Sequence, residues 1–113
     1  MDIEAYAVGG RQRFIELAET IASILRAAID RSGQMRLQVI QRRAKDVDSL
    51  RKKLAKLTNP PADVELAVKD LGGCRLVFYT NADVSIFLRT GIIQDNFEVD
   101  WDRTRIHHPT KDP

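Results

Sequence analysis

The chain has 113 residues, of which 43% are hydrophobic and 30% charged, and a net charge of +2. This gives room for one modest folded domain and excludes long disorder, and so small a net charge does not by itself argue for a nucleic-acid partner. With Cys74 as the one cysteine, no intrachain disulfide can form, and no apolar run approaches the roughly 20 residues of a membrane span. The N-terminal Met1-Asp-Ile-Glu is acidic and has no secretory pattern, so a cytoplasmic protein is expected.

Gly9-Gly10 is expected to separate the first residues from a helix beginning near Arg11. Phe14, Leu17, Ala18, Ile21, Leu25 and Ala28 recur at three- and four-residue spacing and predict one buried stripe. Ser32-Gly33 ends that helix. It carries no evident chemistry and reads as a brace. Val39 and Ile40 favour a strand over 36–43, with a helix from Gln34 as the competing reading. Asp46 then caps a second helix, with Val47, Leu50, Leu54 and Leu57 on its buried side.

Asn59-Pro60-Pro61 stops the second helix. A short helix over 62–69 and a sharp turn or close approach at Leu71-Gly72-Gly73 follow. A second strand, apolar enough to lie inside a sheet, is predicted over 74–79. Thr80-Asn81 opens another helix ending near Gly91. Phe97, Val99 and Trp101 alternate with Glu98, Asp100 and Asp102, which predicts a third strand with one polar face. The tail over 103–113 reads as loop. His107 and His108 are adjacent, point apart, and make a poor metal pair.

The charge is unevenly spread. Arg36, Arg42, Arg43, Lys45, Arg51, Lys52, Lys53 and Lys56 face only Asp46 and Asp48 over that stretch, an excess suited to a polyanion such as a nucleotide or RNA. Arg43 and Lys45, two apart, share one face of an extended strand; Ser49 and Lys53, four apart, stack on one side of a helix. A strand that delivers two cations and turns into a helix bearing a hydroxyl and a third cation can cradle a polyphosphate. The helix N-terminus adds amide donors and partial positive charge to the same place. Asp70, before the second strand, can hold the magnesium that a nucleoside triphosphate brings. Without a family resemblance, the preferred reading of the lysines is a solvated face with snorkelling stems, and Asp70 reads as a turn residue.

The pair Arg43-x-Lys45-x-x-x-Ser49-x-x-x-Lys53 and Asp70-x-x-Gly73-x-Arg75 resembles the RelA/SpoT-type (p)ppGpp synthetase domain, especially the small single-domain synthetases and their related toxins. The resemblance spans Arg36 to Trp101. It implies an α/β, nucleotidyltransferase-like mixed sheet of about three strands with flanking helices, apparently incomplete. The corresponding division is a helical brace over 1–33, a donor-nucleotide-binding core over 36–102 and a tail over 103–113.

The resemblance further implies that Arg43 stacks on the ATP adenine and that Lys45, Ser49 and Lys53 hold the phosphates. Asp70 ligates magnesium as the catalytic acidic residue, Gly73 permits close approach of the chain, and Arg75 completes the motif. The implied reaction moves the β,γ-pyrophosphate of ATP to a ribose 3′-hydroxyl of GDP or GTP, or of another nucleotide or tRNA in the toxins. An antitoxin protein is a possible partner for a toxin, and a homo-oligomer is possible. The family's acceptor loop, Gly-Tyr-x-Ser-x-His, and a later catalytic Glu are expected beyond Pro113, so this chain is expected to supply the ATP-binding half. The alternative is a catalytically degenerate RNA- or protein-binding module, and a helix-rich adaptor is a third reading.

Overall fold

The computed structural model describes residues 1–99. Their order is α1 (Ile3–Ala5), a π-helical turn (Tyr6–Gly10), α2 (Arg11–Ser32), β1 (Leu37–Ala44), α3 (Val47–Ala55), α4 (Val64–Ala67), β2 (Gly72–Phe78), α5 (Asn81–Thr90) and α6 (Ile92–Asn96). The class is mixed α and β, as expected. Among the described residues the sheet has two strands, β1 and β2, and their end bonds show them antiparallel: Lys45 N–H to the Leu71 carbonyl, and Tyr79 N–H to the Arg36 carbonyl. The three-strand sheet expected from the resemblance is not found there. Phe97–Val99 follow α6 without entering a ladder, and the rest of that expected strand, with His107 and His108, lies outside the described residues.

Two compact units interleave along the sequence, one of Met1–Ile21 with Arg42–Cys74, the other of Ala22–Gln41 with the chain from Arg75 onward. α2 contributes to both units. In the first unit the core is Tyr6, Leu50, Val64, Val68 and Leu71, with Phe14, Val47 and Leu54 packed against it. In the second, Leu25, Ile29, Met35, Ile40 and Phe87 are buried, and the Phe78 and Phe87 rings lie 5.3 Å apart.

Local chemistry accounts for most boundaries. Asp46 accepts from the Ser49 amide at 3.2 Å and starts α3; Thr80 Oγ1 accepts from the Asp83 amide at 3.1 Å and starts α5. Gly33 and Gly91 take positive φ, 65° and 74°, and end α2 and α5. Three details differ from the sequence reading. Gly9-Gly10 does not interrupt the chain's coil but sits in the π turn that feeds α2. The buried stripe of α2 is Ala18, Ala22, Leu25 and Ile29, while Leu17 is 53% exposed. Both stripes obey helical spacing and share Ala18 and Leu25, and Phe14 of the expected stripe packs against the core of the first unit. Leu57 lies past the end of α3 and is exposed.

The glycine pair before β2 also divides differently. A Cβ on Gly72 would lie 3.2 Å from Phe14 Cβ and 3.4 Å from the Phe14 carbonyl oxygen, whereas one on Gly73 meets nothing within 4 Å. The tight contact within the chain is therefore at Gly72, and Gly73 faces open space. Gly72→Ala is expected to destabilise the protein by about 1–2 kcal/mol through overpacking against Phe14, while Gly73→Ala stays within about 0.5 kcal/mol of wild type. Urea unfolding of the two variants checks this; equal effects would refute the assignment of the tight contact.

Candidate functional site

β1 runs out at Ala44, and Lys45 follows it outside the helix that Asp46 caps. The Lys45 amide donates to the Leu71 carbonyl at 2.7 Å, which sets Lys45 beside the residue preceding β2. The side chains then meet. Lys45 Nζ donates to Asp70 Oδ2 at 3.2 Å, and Lys53 Nζ, from α3, donates to Asp70 Oδ1 at 3.1 Å. An Arg43 guanidinium nitrogen lies 3.9 Å from Asp70 Oδ2. Strand, strand end and helix thus bring three cations to one carboxylate, a local excess of two positive charges.

The members differ in burial. The Lys45 side chain is 14% exposed, against 46% for Lys53 and 69% for Arg43. Lys45 is the most enclosed of the three and Arg43 the most exposed. Burial of Asp70 opposes its charge. The hydrogen bonds from Lys53 and Lys45 and their positive charges outweigh that cost and hold the carboxyl below the usual range.

The remaining motif residues are not in this cluster. Ser49 is exposed on α3, one turn before Lys53, and its backbone amide is already taken by Asp46. That cap takes one of the amides at the start of α3, and Asp48 lies in its first turn. Arg75 is exposed on β2, in the second unit. Gly73 lines no tight approach.

Sequence reasoning missed Tyr6. It is fully buried, and its hydroxyl donates to the Lys45 carbonyl at 2.5 Å, with the Leu71 carbonyl 3.4 Å away. Burial, with Asp46 and Asp70 nearby, raises its pKa against the opposing pull of Arg11. A buried phenol needs an acceptor, but nothing in the acidic N-terminal stretch marked Tyr6 as buried, and its acceptor is a backbone carbonyl.

Asp70 fixes the sign of a pH effect. Its folded pKa lies below the unfolded value of about 3.9, so its pairing contributes stability fully present above that pH and lost as pH falls through the folded value. Wild type is expected to exceed Asp70→Asn in stability at neutral pH, and the two are expected to converge in acid. Urea unfolding across the acid limb measures this; a gap that persists undiminished at about pH 2 would show that the lysines do not hold the carboxylate.

Comparison of the chain with family models, with curated proteins and with solved structures finds no match.

Proposed function

We propose that the chain binds the polyphosphate of ATP as the donor half of a RelA/SpoT-type pyrophosphokinase, with GDP, GTP or a tRNA end as acceptor. The observation that carries this reading is the meeting of Arg43, Lys45 and Lys53 on Asp70. One carboxylate leaves two of the three positive charges unbalanced, and a polyphosphate matches such a surplus. A hydrophobic pocket selects by shape; this arrangement selects by charge density.

Asp70 is a single carboxylate already bonded to two ammonium groups. A bare dication approaching it meets three positive charges, so magnesium fits here when carried by the phosphates and completed by water. Bound in that way it supplies neutralisation of charge on the transferring group. The protein's part is positioning: Lys45 and Lys53 hold phosphate oxygens as point charges, and Arg43 lies against the base. In the transfer, the acceptor 3′-oxygen bonds to the β-phosphorus as the bond to the α–β bridging oxygen breaks and AMP leaves. Asp70 is a weak base in its ion-pair setting, so the hydroxyl proton goes to another group.

Calorimetry with ATP and magnesium tests the reading. Lys45→Ala and Lys53→Ala are each expected to weaken binding by about 1.5–3 kcal/mol, the worth of a hydrogen bond to a charged group. Asp70→Asn has a split effect: tighter binding of inorganic triphosphate without magnesium, because a competing anion is gone, and loss of the magnesium-dependent gain. Absence of ATP binding, or indifference to both lysines, sinks the donor site. RNA binding that is steeply salt-dependent and unaffected by Asp70→Asn would favour the basic binding module instead.

A further inference from the structure

We infer that Tyr6 is a positioning residue of this site, setting the spacing of Lys45 and Asp70 without touching the ligand; the inference rests on the polyphosphate reading only for its functional consequence. Lys45 and Asp70 are 25 positions apart, and the carbonyls of Lys45 and of Leu71, the residue after Asp70, lie where their two segments meet. The Tyr6 hydroxyl donates to the first at 2.5 Å and lies 3.4 Å from the second. The Leu71 carbonyl also accepts from the Lys45 amide at 2.7 Å. A single buried phenol therefore sits over the junction at which the end of β1 meets the approach to β2.

The phenol is itself held rigidly. Its ring is fully buried in the core with Leu50, Val64, Val68 and Leu71, and lies 6.1 Å from the Phe14 ring. Phe14 in turn presses on Gly72, the residue after Leu71. The π turn at Tyr6–Gly10 widens the helix at the point where Tyr6 leaves it, and such turns occur often where a side chain must be re-aimed. The hydroxyl has one proton to give. It goes to the carbonyl of the least exposed cation of the cluster, and Lys53, on α3, has no such tie.

That asymmetry supplies the test. Tyr6→Phe keeps the ring and removes the bond. In the ligand-free protein, the side-chain ammonium resonance of Lys45 is expected to shift by NMR while that of Lys53 stays in place. Affinity for inorganic triphosphate with magnesium chloride is expected to fall roughly three- to tenfold, the worth of one neutral hydrogen bond. Unchanged Lys45 resonance, or equal movement of Lys45 and Lys53, overturns the inference, the second because it reports general loosening. If wild type binds no triphosphate, the polyphosphate reading fails, and the contrast between the two lysines still decides the role of Tyr6. If the variant does not fold, the wild-type hydroxyl proton of Tyr6 decides it. Slow exchange with a contact to Lys45 is the expected result, and rapid exchange with solvent refutes it.

Discussion

The backbone hydrogen bond from the Lys45 amide to the Leu71 carbonyl joins the end of β1 to the start of β2. Because β1 and β2 are antiparallel, this terminal pair fixes which residues stand beyond the ladder, Lys45 on one chain segment and Asp70 on the other. A shift of one residue would turn each side chain to the opposite face. The charge cluster is thus a consequence of register. α3 then needs only to begin at Asp46, immediately after Lys45, for Lys53 to reach the same carboxylate two turns later.

The electrostatics of the cluster follow from unequal numbers. Three cations around an isolated spot on the surface repel one another, and Asp70 offsets part of that repulsion in the ligand-free chain. The contacts are exposed enough on the Arg43 and Lys53 sides for solvent to screen them. Their contribution to stability is accordingly modest, and their importance lies in keeping charge ready in one place. Under the proposed polyphosphate reading, the carboxylate that offsets repulsion in the cluster also competes with the incoming anion.

The N-terminal segment does more than brace the sheet. α1 and the π turn deliver Tyr6 into the core, where the ring contributes apolar burial and the hydroxyl satisfies a carbonyl at the strand junction. Phe14, on α2, packs so closely on Gly72 that a Cβ there would lie 3.2 Å from the Phe14 Cβ. Tyr6 and Phe14, neither of them charged, thus touch the backbone around the cation cluster. Apolar packing and the geometry of the cation cluster are coupled at this point through backbone carbonyls, not through side-chain ion pairs.

Periodicity, caps and breakers in the sequence determined the long helix from Arg11, the helix capped by Asp46, the one capped by Thr80 and closed by Gly91, and the second strand. These depend on local spacing and on donors within three residues. The stretch over 36–43 stood open between strand and helix until the chain paired it with β2. The face on which a helix is buried was not so determined: Leu17 fits the apolar period as well as Ala22 does, and only neighbours in space choose between them. The same holds for the two glycines, since sequence cannot say that Phe14 comes to rest against Gly72. Arg43, Lys45, Lys53 and Asp70 were legible as candidates from their spacing, but their meeting at one point was decided by strand register and helix start together. Tyr6 was illegible because its partner is a backbone carbonyl 39 positions away, and every residue carries a carbonyl. Local order is written in neighbouring residues; which distant groups come within hydrogen-bonding reach is decided only when the chain has folded.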